Sequence, residues 1–543
     1  MSKPTLKHLR VGPLELALDA PESDIRPRVA KRLGIGEDDL LSFRLSKKSL
    51  DARGRRRGKP PVFKIQVEFD LEASFSSPKL ARLERSGKLH EVDFPVTLDV
   101  ERSSASRSIE HAVVVGAGPA GLFAALVLAR NGVRVTVLDR GAAVEDRGRD
   151  LADFHRTRVP NPESNLLFGE GGAGTYSDGK IYTRVDDALE LPILEELVAC
   201  GAPAEIVYDG LAHIGTDRLH KILPALRKRM EAHGVEFLFR TRMDSLDIQD
   251  AGERKVVALQ TSGGELRCDV CFLAPGHSAR DTWAMLAELG VEFEAKPFQL
   301  GLRVEHPQEL IDSARWGKDP LLRGLGAASY QLVSKAKQHE YGAHTFCMCP
   351  GGKIVASVNE AGLLCTNGMS NSTHSSRFAN SGVVATFGPS DFGEGAFAGV
   401  DFQRELEVRF FEAGGSDYTS PAQTVRDFLR GESTGKLGAT SYNFGLRPAR
   451  VDSLLPEKGR AALVRGLVDF DSMLPGFAGP EGILCGVESR SAGPVRMPRG
   501  RETRVANGFS NLFPVGEGAG FAGGIMSAAL DGARSAVTCL TSG

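Results

Sequence analysis

The chain has 543 residues, 41% of them hydrophobic and 25% charged, with a formal net charge of −2. That length suits two or three domains, each with its own core, and near-neutrality excludes a global field for nucleic acid or a charged membrane. Eight cysteines are too sparse for a disulfide scaffold. Lys3, Lys7, Arg10, Glu15 and Asp19 interrupt any signal-peptide core, and no stretch reaches ~18 uninterrupted apolar residues. A soluble cytoplasmic protein without membrane contact is expected.

Residues 1–108 read as a small α/β module. Leu14–Leu18 reads as a strand, Glu22–Leu33 as a helix, Leu40–Leu45 as a strand and Val62–Phe69 as an alternating strand. The segment holds 22 Lys and Arg against 16 Asp and Glu, an excess gathered in Arg53–Lys59. A solvated hairpin loop is the plain reading of that run, and RNA or an acidic protein partner is the alternative. No aromatic RNA-binding motif accompanies it.

The strongest local pattern is His111-Ala-Val-Val-Val-Gly116-Ala-Gly118-Pro119-Ala120-Gly121. An apolar strand feeds Gly-x-Gly-x-x-Gly, in which Gly116 permits the turn, Gly118 lets a pyrophosphate approach the backbone and Gly121 lets the helix pack on the strand. Pro119 suits a first helical turn, and the free N–H groups there favour an anion. A helix over Leu122–Asn131 and a strand over Val133–Leu138 follow, ending at Asp139 and Arg140. An acid at that point normally accepts ribose hydroxyls and repels a 2′-phosphate, which argues for a dinucleotide other than NADP.

Next comes Phe168-Gly-Glu-Gly-Gly-Ala-Gly-Thr-Tyr-Ser-Asp-Gly-Lys180, with four glycines in six residues. Such a loop lets backbone crowd a flat or anionic ligand, so Gly172 and Gly174, with the hydroxyls of Thr175 and Ser177, are expected at the cofactor. Asp217–His233 reads as a helix, Val235–Phe239 as a strand, residues 254–268 as short strands, and Val270–Ala274 as a strand ending near Gly276. Cys268 and Cys271 have CxxC spacing, but residues three apart on a strand point to opposite faces, so the pair reads as structural.

Near the far end, Asn511-Leu-Phe-Pro-Val-Gly516-Glu517 reads as a late strand, and Gly523, Gly524 and Ile525 open a final helix that runs to about Leu540. A late strand whose terminal acid holds a ribityl chain marks FAD rather than NAD. N–H groups at the final helix would face the flavin N1/C2 edge and stabilise the charge of reduced flavin. An acid at Glu517 is usual in kind, although Asp is the commoner residue.

The chain as a whole resembles a family of bacterial and plastid proteins described as uncharacterised FAD-dependent dehydrogenases. The segments that carry the resemblance are Leu40–Arg53, Gly169–Lys180, His213–Asp217, Cys347–Gly352, Asn367–Ser370, Gly486–Arg490 with Pro494–Arg496, and the closing Gly-Glu-Gly-Ala-Gly. The resemblance implies a Rossmann-like α/β FAD-binding domain of the glutathione-reductase type with an inserted α+β cap. Expected boundaries are 1–108 for the N-terminal module, 109–289 and 471–543 for the two parts of the FAD domain, and 290–470 for the cap.

The expected activity is that of an FAD-dependent oxidoreductase passing hydride through flavin N5 to or from a small substrate. With one fingerprint, NAD(P)H would bind only transiently as a donor. Arg490, Arg496, Arg499, Arg501 and Arg504 fall within fifteen residues, so an anionic substrate stands beside a solvated loop as a reading. Lys180, His344 and Cys347 are candidate acid–base or substrate groups. His344, Cys347, Cys349 and Cys365 lack the paired knuckles of a zinc site, and no metal is expected. A flavin monooxygenase, or a flavoprotein whose basic N-terminal module docks RNA or protein, are the alternative classes. Oligomeric state is left open.

Overall fold

A computed structural model describes residues 5–53, 59–101, 108–181, 185–210, 212–250, 252–335, 341–433 and 435–542. Most of the basic Arg53–Lys59 run lies outside the described residues. The chain folds as two compact units, one of residues 1–97 and 190–213 and the other of 98–189 and 214–543.

In the smaller unit, Val62–Glu72 buries residues along its length and lies inside a four-stranded sheet, between Leu41–Asp51 and Leu6–Ala17, with Leu89–Glu91 at the far edge. The neighbouring strands run antiparallel. Helix Ile25–Leu33 ends at Gly34 with φ +73°, the left-handed turn that glycine adopts without Cβ strain. Its Ile25, Val29 and Leu33 join Val11, Leu16, Val67 and Phe69 in one core, with Leu80 from helix Pro78–Arg85. The boundary at 108 changes. Lys48, on the edge strand, donates its N–H to Tyr208 O and accepts from Gly210 N, so an edge that needs pairing recruits a segment about 160 residues away.

The larger unit contains a five-stranded parallel sheet in the order Leu512–Pro514, Val270–Leu273, His111–Val115, Arg134–Asp139, Val235–Phe239. These strands are short and almost wholly apolar on both faces, as parallel strands covered on both sides must be. An antiparallel meander, Met243–Asp250, Arg254–Thr261 and Gly264–Arg267, is inserted before the fourth strand in chain order. Helix Pro119–Arg130 packs against the closing helix Ile525–Thr541 so closely that a Cβ on Gly532 would stand 1.9 Å from Ala120 O.

A second sheet of seven strands belongs to the same unit. Its order is Val333–Ser334, Ala343–Cys349, Phe378–Phe387, Phe298–Pro307, Ile483–Glu488, Ser420–Thr424, Leu446–Pro448. Ile483–Glu488 pairs with Phe298–Pro307 and Ser420–Thr424, so the sheet reaches past the expected boundary at 470. The central strand Phe298–Pro307 is buried on both faces, yet carries Arg303, Glu305 and His306. Charges there need internal partners, and those partners form part of the site. Among the described residues, no helix is long and apolar enough to cross a membrane.

Candidate functional site

The fingerprint folds as its glycines require. Gly116 has φ +105°, and a Cβ there would meet Ala274 O at 2.2 Å. A Cβ on Gly121 would meet Gly116 O at 1.9 Å, which ties this glycine to close packing of helix on strand. Gly118 opens the helix in extended conformation, with Pro119 first inside it. The nearest atom to a Cβ on Gly118 is Gly172 Cα at 3.9 Å, and a Cβ on Gly174 would touch Ile525 Cγ1 at 2.9 Å. Fingerprint, glycine loop and closing helix therefore meet at one place. Ala120 completes the junction, because a Cβ on Gly516 would lie 2.7 Å from its Cβ.

Four polar residues expected at the cofactor are instead occupied by the protein. Asp139 Oδ1 accepts from Gly141 N and Gly169 N, and Oδ2 from Ala117 N, at 2.8–2.9 Å. It braces the fingerprint turn against the glycine loop, and three backbone donors compete with any ribose hydroxyl. Arg140 forks onto Glu163 and Asp281 with its guanidinium over the Phe168 ring. Thr175 Oγ1 donates to Glu170 O at 2.9 Å, and Ser177 Oγ donates to Gly174 O at 2.7 Å. Both hydroxyls hold the loop's own turns, as short polar side chains in turns commonly do.

The loop's organiser is Arg147, which sequence reasoning missed. Its fully buried guanidinium donates to Asn165 O, Glu170 O, Gly172 O and Thr175 Oγ1 at 2.6–3.2 Å. It lies inside helix Val144–Thr157 in a segment without a recognisable motif, so no pattern distinguished it from a surface arginine.

At the late strand, Gly516 N donates to Asp531 Oδ2 at 2.8 Å. Arg499 and Arg504 also bind Asp531, fastening the strand to the closing helix. A Cβ on Gly518 would collide with the backbone of Gly276, whose φ is +79°. Glu517 differs from these neighbours: it is partly buried, and among the described residues its carboxylate has no hydrogen-bond partner. Burial pushes it up to about 7, opposed by Lys296 and reinforced by Cys347. Gly523 N is engaged by Ser527 Oγ at 3.2 Å, leaving Gly524 and Ile525 as the expected donors at the helix start.

The seven-stranded sheet brings a charged thiol cluster to this region. Cys347 adopts φ +45° beside a register break in its strand, a backbone state that costs a non-glycine residue roughly 1 kcal/mol or more. Lys180 Nζ donates to Asp178 Oδ2 and to Met348 O. Arg303 donates from Nη2 to Cys347 O at 2.6 Å and from Nη1 to Glu488 Oε1 at 3.1 Å, while Nε donates to Asn380 Oδ1 at 2.9 Å. The neighbouring Cys349 thiol, with the cations Lys180 and Arg303, outweighs burial and holds Cys347 below the usual thiol range. Cys349 is pushed up by its neighbour Cys347 and by its own burial. Burial works against charge on Lys180, but Asp178 and the two cysteines more than compensate and raise it. Lys180 is therefore a fixed cation and not a base at neutral pH. Glu488 is pushed up to about 7 by burial, and its Oε2 has no partner.

His344 stands at the other end of the same strand, opposite Val333 and Val384. Cys365 bonds Ser489 and Thr366 O, and burial pushes it up to about 11. Cys268 and Cys271 are buried free thiols. Among the described residues no three His, Cys, Asp or Glu side chains gather closely enough to hold a metal ion.

The two arginines expected to meet substrate separate. Arg490 is 4% exposed, and its Nε and Nη2 bind Glu407 at 2.9 and 2.7 Å. Arg280 clasps the same carboxylate from the other side. This buried triad leaves Arg490 no fork for a ligand. Arg496 is partly exposed, with only Nη1 bound, to Glu294 at 3.2 Å, while its buried Nε lacks a partner. Lys296 lies close enough to feel both Arg496 and Glu517; burial, then Arg496, lowers it and Glu517 opposes this. Burial brings His277 down to about 4, helped by Arg490, Arg280 and Lys296, so its ring is neutral at pH 7.

These features fit a dinucleotide with a ribityl chain: a glycine cradle at a helix start, and a strand-end carboxylate with its acceptors free. The comparisons agree on the cofactor. Residues 110–278 match the model of an FAD binding domain, 297–491 that of an FAD-dependent protein, C-terminal domain-like, and 9–70 a domain of unknown function. An uncharacterised protein of Clostridium beijerinckii is 37% identical over 537 residues, which cover 97% of this chain and 98% of that one. Solved structures that align with the chain include L-proline dehydrogenase from P. horikoshii, at 12% identity and TM-score 0.33 over 79% of this chain and 92% of that one. Glycine oxidase from Bacillus cereus aligns at 12% and 0.30 over 79% and 94%. Likeness at that level carries no weight for substrate.

Proposed function

The chain belongs to one family with the Clostridium beijerinckii protein, and from that premise we propose that it transfers hydride between FAD and a small anionic substrate held by Lys296 and Arg496. It is an FAD-dependent oxidoreductase, with the cofactor in the FAD binding domain. The observation that carries the substrate reading is the unpartnered, buried Nε of Arg496 beside Lys296, whose Nζ has no hydrogen bond among the described residues. Two neighbouring cations with donors left open, Lys296 Nζ and Arg496 Nε, favour a carboxylate or phosphate.

The remaining residues divide the work. The Gly118–Gly121 turn offers helix N–H groups to the pyrophosphate, and Glu517 accepts from ribityl hydroxyls. Gly524 and Ile525 place the positive end of the closing helix where negative charge develops. Bound flavin supplies the two-electron chemistry. Neutral His277 can donate or accept a hydrogen bond without adding charge. A parallel sheet completed by a late strand, with a three-stranded meander before its fourth strand, supports the glutathione-reductase-type reading of this domain.

The test is anaerobic reduction of the purified protein with NADH, NADPH and a panel of anionic and neutral donors, followed by flavin absorbance. Lys296→Ala is expected to raise KM about tenfold for an anionic donor, the scale of one charge-assisted hydrogen bond, and to leave neutral donors unchanged. Equal effects on both classes would remove the anionic reading.

A further inference from the structure

Cys347 and Cys349 stand two residues apart at the break where their strand departs from its partner's register. The Cys349 thiol donates to Cys347 O at 3.4 Å, which keeps the two residues together. Residues two apart on a strand share a face, and the positive φ of Cys347 bends the chain at that point. The pair is asymmetric: Cys347 is partly accessible, whereas Cys349 is wholly buried. Lys180, from the end of the glycine loop, holds the intervening Met348 carbonyl, and Arg303 holds the Cys347 carbonyl and reaches Cys349 Sγ at 3.7 Å. Two fixed cations beside a thiol pair stabilise a thiolate. Lys180 thus ties the thiol pair to the end of the glycine loop, and the charge of Cys347 is felt at Glu517.

We propose that Cys347 and Cys349 are a redox-active dithiol that exchanges an electron pair with the flavin, Cys347 being the accessible thiolate and Cys349 its buried partner. On oxidation the S–H bond of Cys349 breaks and one S–S bond forms between its sulfur and the Cys347 thiolate; the electron pair passes to oxidised flavin and the one proton released goes to the flavin or to solvent. The reverse reaction takes them from reduced flavin. Structural buried thiols would need neither the two cations nor the left-handed backbone. The proposal rests on FAD being bound beside Glu517, a point that flavin absorbance reports independently.

The experiment is an anaerobic dithionite titration of the holoprotein purified without reductant, with mass analysis of the peptide bearing both cysteines. Wild type is expected to take up about four electrons per flavin, and Cys347→Ser and Cys349→Ser about two; the oxidised wild-type peptide should lack two hydrogens. Uptake of about two electrons by wild type, with both thiols free, would overturn the proposal. Iodoacetamide labelling of the pre-reduced wild-type holoprotein guards against misfolded variants: Cys347 should be alkylated well below pH 8 and Cys349 should not. Equal labelling of both, only above pH 8, would also count against the pair. A protein without flavin absorbance would point to failure of the FAD reading instead.

Discussion

Asp139 and Glu517 both sit at or just beyond the carboxyl ends of strands in one parallel sheet, and both were expected to hold the cofactor, yet their surroundings are opposite. Asp139 accepts three backbone N–H groups; Glu517 accepts none among the described residues. Arg490 and Arg496 repeat the contrast, the first closed within a buried triad and the second with an open donor. Within each pair one charged residue is spent on the scaffold and the other keeps an open donor or acceptor. Residue type does not separate the two roles, and hydrogen-bond occupancy does.

The sharpest way to break this contrast is Asp139→Ala. Three buried N–H groups would lose their acceptor at roughly 1–3 kcal/mol each, so about 5 kcal/mol of stability should go, read by urea unfolding, along with flavin stoichiometry. Near-wild-type stability would show that Asp139 does not brace the loop. Arg490→Ala should cost about 3–5 kcal/mol, because it removes a partner from a buried carboxylate, and should leave KM unchanged in protein that still folds. A raised KM with unaltered thermal unfolding would return Arg490 to the substrate.

Glu517→Gln tests the open carboxylate through pH. Because the folded acid titrates near 7 and the unfolded one near 4.5, the native state holds the proton more tightly, and stability falls as pH rises between those values. In flavin-free protein the amide should therefore stabilise by about 1–3 kcal/mol at pH 8 and make little difference at pH 4. A thermal-unfolding difference independent of pH would contradict the assignment. The smallest stability effect belongs to Arg496→Ala, within about 0.5 kcal/mol for an exposed pair, while KM for an anionic substrate rises about tenfold; a stability loss like that of Arg490→Ala would erase the distinction.

Much of the flavin half was legible in the sequence because short-range rules govern it. Gly116 and Gly121 are required by local sterics, and the fingerprint helix, the second strand and the closing helix lie within a few residues of their expected limits. The cap boundary was not legible, because Ile483–Glu488 joins its sheet through pairings with strands about 60 and 180 residues earlier. The turn contacts of Thr175 and Ser177 were not legible for a related reason: a hydroxyl in a glycine loop can serve ligand or turn, and only the folded loop shows which backbone oxygen it meets. Arg147, Arg303 and Glu407 left no signal, since a buried arginine and a surface one have the same letter.

The attachment of Leu512–Pro514 to Asp531 has a consequence in time. That strand is synthesised roughly 240 residues after Val270–Leu273, the strand it pairs with. At ~5–20 residues per second, a growing chain waits on the order of 10–50 s with one edge of the parallel sheet uncovered and its flavin site half built. Cofactor capture is thus a late event in biogenesis, and the interval before it is the one in which a chaperone has most to protect.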